Sequence, residues 1–282
     1  MGRRGSIPAI AGAVAAAAFA LAAFAAPNLP RLADKSPGAV PVDVELVIAV
    51  DISYSMDYDE LALQRGGYVA ALTSKQFLDA LKQGAYGRIA VTYVEWAGSG
   101  EQKILVPWQL IDGPASADAF ASRLAETPIR RAYRTSISGA LKFSAELFGT
   151  GDFKGLRRVI DVSGDGTNNQ GDLIEPTRDA VVAKGITING LPVMLKTPLA
   201  SMIDIPNLHH YYEDCVVGGP GAFVVPARER SQFVDAIRNK LVLEVSNLQW
   251  PLPQAPKVMP AVSPPRVSCT IGERMWQERW GR

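Results

Sequence analysis

The sequence has little of the residue types that hold zinc, since its 282 residues include only two cysteines and two histidines. The histidines, His209 and His210, are adjacent and lack the i, i+4 spacing that would place both on one face of a helix. We therefore interpret them as part of a surface turn rather than as a metal site.

The chain also lacks an excess of charge of one sign, because 29 basic residues are balanced by 28 acidic ones. A balanced chain creates no global field that would draw nucleic acid or an acidic membrane. Binding must therefore come from a local site. We predict no nucleic-acid partner, and membrane association only through an uncleaved N-terminal segment.

Several enzyme signatures are absent as well. No Gly-x-Ser-x-Gly turn offers the nucleophile of a serine hydrolase. A phosphatase of the haloacid-dehalogenase type needs a second carboxylate two residues after its nucleophile, and Ser53 stands at that distance from Asp51. The glycines at 218–221 lack the lysine of a phosphate-binding loop, and the stretch 164–169 lacks the terminal glutamate of a calcium loop. The sequence therefore favours a protein that is not an enzyme.

The N-terminus predicts export. Arg3 and Arg4 precede a charge-free apolar stretch at 7–26, and residues 23–25 form a small-x-small cleavage site. We predict a signal peptide over residues 1–25, a proline-rich spacer over 26–41, and a periplasmic or secreted protein. Because about 20 apolar residues can just span a bilayer, an uncleaved N-terminal anchor remains the alternative.

The two cysteines, Cys215 and Cys269, both lie in the second half of the chain. Export makes a disulfide permissible, and one even pair is the simplest arrangement. Such a bond would attach the C-terminal tail to the domain. Two unrelated thiols, one buried and one free, are the alternative.

Strand and helix patterns alternate from Val42 onwards and predict an α/β fold with a mainly parallel sheet and helices on both faces. An antiparallel hairpin supplies one antiparallel edge strand. The domain extends over residues 42–245, and residues 246–282 form a proline-rich linker and a tail with a short docking helix. The predicted strands are 46–50, 88–96, 103–108, 158–162, 186–191 and 222–225, and the predicted helices are 60–83, 115–125, 136–148, 176–184 and one through Phe233, Ile237 and Leu241.

The first predicted strand carries the clearest chemical signal. Its apolar run ends in Asp51, and Ser53 and Ser55 follow at alternate positions. Ligands lie at the carboxyl ends of parallel strands, so these three oxygen-bearing side chains should cluster there. A carboxylate and two hydroxyls are hard ligands, which suit Mg²⁺, Mn²⁺ or Ca²⁺ better than zinc or copper.

Two further loops carry oxygen ligands at the same predicted end of the sheet. Thr135 opens a helix in Arg134-Thr135-Ser136, and Asp165 follows a strand in Ser163-Gly164-Asp165-Gly166. On these loops the chain resembles the von Willebrand factor A-like (VWA) domains, whose metal-ion-dependent adhesion site (MIDAS) combines an Asp-x-Ser-x-Ser loop with a distant threonine and aspartate. Other segments resemble an uncharacterised group of exported bacterial proteins in that superfamily.

The resemblance implies a three-layer, Rossmann-like fold and a role for each matching residue. Ser53, Ser55 and in some relatives Thr135 would bind the cation directly, while Asp51 and Asp165 would act through water or by supporting the residues that bind it. Few charged ligands then touch the metal, so it can accept a carboxylate from a protein or peptide partner. We expect Mg²⁺, with Mn²⁺ or Ca²⁺ as alternatives. A metal-assisted hydrolase with Asp51, Asp165 or Asp57 as general base, and a purely structural cation, are the alternative functions.

The chain departs from the family around Thr135, where arginines stand in place of glycines. We predict that Arg130, Arg131 and Arg134 contact an acidic partner, because guanidinium groups match carboxylate geometry. A solvated basic loop is the alternative. Asn168 is predicted to line the same rim. Glu95, inside an apolar strand, is expected to be hydrogen-bonded or to face an edge, with a functional carboxylate as the alternative.

Overall fold

A computed structural model of the protein describes Gly2 and residues 38–195, 205–246 and 266–281. The chain divides into two units, residues 1–31 and 32–282, and the fold below is that of the second. The predicted signal peptide, most of the spacer and most of the proline-rich linker lie outside the described residues. Within the described ranges, no helix is long and apolar enough to cross a membrane.

The core of the fold is a five-stranded sheet with the order β3-β2-β1-β4-β5. β1 runs parallel to β2 and to β4, and β4 runs parallel to β5, while β3 is antiparallel to β2 at one edge. The mainly parallel sheet with one antiparallel edge strand is therefore confirmed. The strands are β1 (Val40–Asp51), β2 (Ile89–Trp96), β3 (Gln102–Ile111), β4 (Phe153–Gly164) and β5 (Ile186–Pro192).

Helices cover both faces of this sheet. Alternate residues of β1 point to opposite sides, so that Leu46 and Ile48 enter one apolar core and Val47 and Ala49 enter another. This confirms the predicted three-layer arrangement. The helices are α1 (Tyr58–Leu72), α2 (Lys75–Leu81), α3 (Pro114–Glu126), α4 (Ile137–Leu147), α5 (Ile174–Ala183), α6 (Leu208–Tyr211), α7 (Phe233–Val245) and α8 (Ile271–Trp280), with a π-helical turn at Tyr212–Val216 and a 3₁₀ turn at Arg230–Gln232.

The predicted helix at 60–83 is two helices. The side chain of Thr73 turns back to the carbonyl of Val69, and Ser74 caps α2 by accepting a hydrogen bond from the Phe77 N–H. Hydroxyl side chains that bond nearby backbone groups compete with the helix and start a new one. The two glycines within α1 do not break it. At Gly67, a Cβ would lie 2.5 Å from Cδ1 of Ile237, so glycine lets α7 pack closely.

The predicted strand at 222–225 is wrong as a regular strand. This segment runs beside β5 through isolated bridges, Gly190 with Val224 and Val193 with Ala227. Pro226 interrupts the segment, and because proline has no N–H to donate it cannot continue a hydrogen-bonded ladder.

Candidate metal centre

The sheet brings two of the three predicted ligand loops together directly. β1 and β4 are parallel neighbours with Val50 opposite Ser163, so Asp51 at the end of β1 lies beside the loop that carries Asp165 after β4. The third loop joins through Ala132, whose N–H donates to the Ile52 carbonyl at 3.0 Å. The loops thus meet at the carboxyl ends of the central strands, where α/β folds place their ligands.

Four of the five predicted metal-site residues are joined by a continuous chain of hydrogen bonds. The backbone N–H of Ser53 donates to Oδ1 of Asp51 at 2.7 Å. The hydroxyls of Ser53 and Ser55 are 2.7 Å apart, and Ser55 donates to Oδ1 of Asp165 at 2.6 Å. The Asp-x-Ser-x-Ser spacing and the distant aspartate therefore do converge.

Thr135, the fifth residue, is tied to the Asp165 loop by two hydrogen bonds to Asn169. Its N–H donates to Oδ1 of Asn169 at 3.0 Å, and the N–H of Asn169 donates to the Thr135 carbonyl at 2.9 Å. A Cβ on Gly166 would lie 3.7 Å from the Thr135 hydroxyl oxygen, so that hydroxyl lies near Gly166, the residue that follows Asp165. Ser136 then caps α4 by accepting from the Gly139 N–H.

The electrostatics of Asp51 fit a cation. Asp51 is fully buried, and its Oδ2 has no hydrogen-bond partner among the described residues. Burial raises the pKa of Asp51 well above its ordinary value, and the negative charge of Asp165 raises it further. A buried carboxylate with a like charge nearby is stabilised by a positive charge, and a divalent cation on these hard oxygens would supply it.

Close packing behind Asp51 involves residues that the motif did not indicate. Tyr212 is fully buried, and its hydroxyl lies 3.4 Å from the Gly164 carbonyl. A Cβ on Gly164 would lie 2.8 Å from Oδ2 of Asp51 and 3.0 Å from the Tyr212 hydroxyl, so only glycine permits this approach. Within the described ranges, here as elsewhere, no group of three or more His, Cys, Asp or Glu side chains could hold a metal ion, so a cation at this site would depend on hydroxyl oxygens as well as on the two carboxylates.

A family model described as "Protein of unknown function (DUF1194)" matches residues 41–249. The chain belongs to the DUF1194 family. No curated protein matches this sequence.

Several solved structures are similar in fold to this DUF1194 protein. Proximal thread matrix protein 1 (PTMP1) from the mussel byssus is 14% identical with a TM-score of 0.52, over 73% of this chain and 49% of that chain. Another structure of PTMP1, with a zinc-occupied MIDAS motif, is 15% identical with a TM-score of 0.50, over 73% and 48%. The pilus adhesin SpaC from Lactobacillus rhamnosus GG is 12% identical with a TM-score of 0.55, over 75% and 31%.

This DUF1194 chain therefore spans about half or less of the length of those structures. At such low identity the likeness shows the fold alone. The VWA-like fold is shown, with the sheet order and the helices on both faces described above.

The three arginines near Thr135 have different surroundings. Arg130 pairs with Glu95 at 3.1 Å and with Glu101 at 3.5 Å. Arg131 donates to the Tyr54 carbonyl, and its guanidinium lies 4.6 Å from the centre of the Tyr54 ring. Arg134 has a positive φ of 74°, and its guanidinium lies 3.3 Å from the centre of the Trp276 ring. Of the three, Arg131 is the one held against the Ser53–Ser55 loop.

Asn168 lies inside the protein rather than on the rim where it was predicted. It is fully buried, and its amide nitrogen donates to Glu273 at 2.7 Å and to the Asp172 carbonyl at 3.0 Å. Its Oδ1 accepts from the Ser138 N–H at 3.0 Å. The side chain therefore joins loops to each other, and in this arrangement it has no surface to offer a partner.

Glu95 is hydrogen-bonded, as expected. It is 2% exposed and accepts from Arg65 of α1 as well as from Arg130. A buried carboxylate held by two guanidinium groups is a structural ion pair under the Thr135 segment. No pattern in the sequence indicates Arg65 as the partner of Glu95, because the two residues lie 30 positions apart and only the folded chain brings them together.

Aromatic residues around the site were missed by the motif analysis. The rings of Tyr54 and Tyr133 stack with their centres 4.2 Å apart. Both residues are exposed, at 46% and 73%, and the nearby Tyr58 is 59% exposed. Arg131 lies 5.4 Å from the Tyr58 ring. The available signal was position, since Tyr54 stands between the two serines and Tyr133 two residues before Thr135.

A buried ionic cluster below the site was also missed. Lys240 of α7 lies 2.6 Å from Oδ1 of Asp161 in β4 and also pairs with Glu244. Tyr68 donates to Asp161 at 3.3 Å, and Asn189 donates to Glu244 at 3.1 Å. The signal was Asp161 within an apolar strand, but its partner lies 79 positions further on and could not be chosen from the sequence.

The two cysteines form a disulfide, with Cα atoms of Cys215 and Cys269 5.5 Å apart. The sequence left open a disulfide or two separate thiols, and in the structure the two cysteines are paired. Near this bond, Arg266 contacts Asp214 at 2.8 Å and also pairs with Glu213. The tail at 266–281 is thereby held against the domain.

Proposed function

We propose that this protein binds a protein or peptide partner noncatalytically through a divalent cation. The observation that supports this most is the run of hydrogen bonds from the fully buried carboxylate of Asp51 through Ser53 and Ser55 to Asp165. The residues that would hold the cation, directly or through water, are Asp51, Ser53, Ser55, Thr135 and Asp165.

The donor set favours Mg²⁺, with Mn²⁺ or Ca²⁺ as alternatives, because hydroxyl and carboxylate oxygens are the ligands that hard cations prefer. Zinc occupies the MIDAS motif in one structure of PTMP1. That precedent supports a divalent cation at a site of this kind, and it leaves the identity of the metal in this protein to measurement.

The partner we propose is a protein or peptide that presents a carboxylate. A cation with few charged ligands stays electrophilic and accepts such a group. The exposed rings of Tyr54 and Tyr133 and the guanidinium of Arg131 would flank the carboxylate. Arg130 contributes less to our proposal, because Glu95 and Glu101 already engage it.

A metal-assisted hydrolase remains the rival, and Asp57 is its exposed candidate for the general base. Asp57 serves as the N-cap of α1, accepts from the Glu60 N–H and lies 3.8 Å from Arg230. A carboxylate with these tasks is poorly placed to activate water, so we rank binding above hydrolysis. A cation that only ties the loops together is the third reading.

We also propose that the protein works outside the cytoplasm. The disulfide between Cys215 and Cys269 supports this, because such bonds persist in oxidising compartments. The predicted signal peptide would direct this export, with a retained N-terminal anchor as the alternative.

Thermal unfolding with Mg²⁺, Mn²⁺, Ca²⁺ or chelator tests the cation, and capture of carboxylate-bearing peptides with and without the cation tests the partner. We expect wild type to be stabilised by the cation and to retain peptides only in its presence. Ser53→Ala should lose both effects, while the exposed Ser122→Ala serves as the matched control.

Two results would contradict the binding function. Stabilisation by the cation without any peptide capture would leave a structural cation. Turnover of a phosphate ester that is lost in Ser53→Ala would favour the hydrolase.

A further inference from the structure

We propose that helix α8 positions the metal-binding loops, so that the C-terminal tail is a working part of the site. This inference rests on the proposed function, because it assigns a role in cation binding. α8 lies more than 100 positions after Thr135 and Asp165, yet it contacts the segments that carry both residues.

The first contact acts on the Thr135 loop. Arg134 directly precedes Thr135 and holds a left-handed backbone conformation with φ of 74°, which is unfavourable for a residue with a Cβ. Its guanidinium lies 3.3 Å from the centre of the Trp276 ring, in the range of a cation–π contact. Trp276 therefore holds the arginine whose backbone sets the direction of Thr135.

The second contact acts on the Asp165 loop. Glu273 accepts a hydrogen bond from the Asn168 side chain at 2.7 Å, and Asn168 in turn accepts from the Ser138 N–H. One buried amide thus links α8, the start of α4 and the loop after β4. Because Asn169 bonds Thr135 in both directions, a shift of this loop would move both predicted ligand residues.

The third contact shows how closely α8 approaches. A Cβ on Gly272 would lie 2.1 Å from the Asn168 carbonyl oxygen and 2.4 Å from the Thr167 hydroxyl. Only glycine allows the helix to lie directly on the loop backbone. This approach places Glu273 and Trp276, one and four residues further along the same helix, within reach of their partners.

The disulfide fixes the helix in this place. Cys269 precedes α8 by two residues and is bonded to Cys215. Tyr211 joins the same area, since its hydroxyl accepts from the Asn168 N–H at 3.1 Å and donates to the Cys269 carbonyl at 3.4 Å. The tail therefore supports the loops as outer partners support the ligands of other metal sites, where their loss lowers affinity by roughly 10- to 100-fold.

Mg²⁺ affinity of the full chain, measured by titration calorimetry, tests this role. We expect Trp276→Leu and Glu273→Ala each to weaken Mg²⁺ binding by about 10-fold or more. Glu278→Ala, on the exposed side of the same helix, is the matched control and should bind as wild type does. Trp276→Phe keeps an aromatic face for Arg134 and Glu273→Gln keeps an acceptor for Asn168, so both should retain most of the affinity.

Hydrogen exchange in the metal-free protein separates this inference from the proposed function. We expect faster exchange at 134–136 and 167–170 in Trp276→Leu and Glu273→Ala, with wild-type exchange in Glu278→Ala. Wild-type Mg²⁺ affinity in both variants would overturn the positioning role. Failure of wild type to bind any cation would overturn the proposed function instead, and unchanged loop exchange would then also overturn the role of α8.

Discussion

Asp51 and Asp161 are fully buried aspartates on the neighbouring strands β1 and β4, and the protein treats them differently. Lys240 lies 2.6 Å from Asp161 and opposes the rise in its pKa that burial causes. At Asp51 the strongest charge effect comes from Asp165, a second carboxylate, which raises the pKa further. The fold thus supplies its own cation, Lys240, to one buried carboxylate and, in our proposal, recruits a metal ion for the other.

Loss of the internal cation should have the largest effect. Lys240→Met leaves Asp161 and Glu244 buried without their counter-charge, and breaking such a pair costs about 3–5 kcal/mol of the free energy of unfolding. Urea unfolding measures this loss. Neutralising the carboxylates as well, in a variant that combines Lys240→Met with Asp161→Asn and Glu244→Gln, should recover a large part of it. No recovery would mean that the packing of Lys240, and not its charge, stabilises the fold.

The acidity of Glu244 should make stability depend on pH. Burial, with the charge of Asp161 next, raises its pKa from 4.5 to about 7. Because the folded state holds this proton more tightly, the stabilising contribution is complete below pH 4.5 and is lost as the pH rises through 7. We expect Glu244→Gln to remove a decline on the order of 3 kcal/mol over that range, as seen by urea unfolding in chelator. A decline that persists unchanged would assign it to another group.

Replacing Asp51 should change the stability of the protein in opposite directions in the presence and absence of the cation. Asp51→Asn removes a buried charge next to Asp165, so the metal-free protein should gain about 1–2 kcal/mol of stability. The same change should remove stabilisation by Mg²⁺, which for wild type reaches about 2.7 kcal/mol at 100 times the dissociation constant. Thermal unfolding with Mg²⁺ and with chelator shows both signs. A loss of stability in the metal-free variant, or retained stabilisation by Mg²⁺, would contradict a recruited cation at Asp51.

The smallest change in stability is expected at the arginines near the site. Arg130 has a partner inside the protein, Glu95, whereas Arg131 is proposed to contact the bound peptide. Arg131→Ala should lower capture of a carboxylate-bearing peptide several-fold and cost little stability, since its contacts with the exposed Tyr54 and Tyr58 rings are cation–π contacts worth about 0.5–1 kcal/mol. Arg130→Ala should instead lower stability, because Glu95 keeps only Arg65, and should change capture little. Peptide binding and urea unfolding of both variants distinguish these outcomes. Equal peptide affinity in Arg131→Ala and wild type would remove Arg131 from the partner site.

The sequence predicted the fold well where local patterns determine it. Apolar runs and helical spacing located all five strands of the sheet, and the hairpin indicated which edge is antiparallel. The errors fell where a few side chains decide: Thr73 and Ser74 divide one predicted helix, and Pro226 keeps the last segment from forming a regular strand. All three residues can be read in the sequence. The sequence does not tell whether their local hydrogen bonding or missing N–H outweighs the helical or strand pattern around them.

The site was predictable in its oxygens and not in its surroundings. Asp51, Ser53 and Ser55 lie together at the end of one strand, so local geometry brings them close to one another. Asp165 lies near them because β1 and β4 are parallel neighbours. The partners of Arg130 and Arg134 lie far away in the sequence, at Glu95 and Trp276, and only the folded chain selects them. For the same reason Asn168, a polar residue in a polar loop, was assigned to the rim although it is buried.

The bond between Cys215 and Cys269 also closes residues 215–269 into a covalent ring, which includes α7 and the proline-rich linker. A protease cut anywhere from 247 to 265 would leave α8 attached to the domain through sulfur. The nicked protein would migrate as one species without reductant and as two fragments with it. In an oxidising compartment, the tail therefore stays joined to the domain even after the backbone that leads to it has been cut.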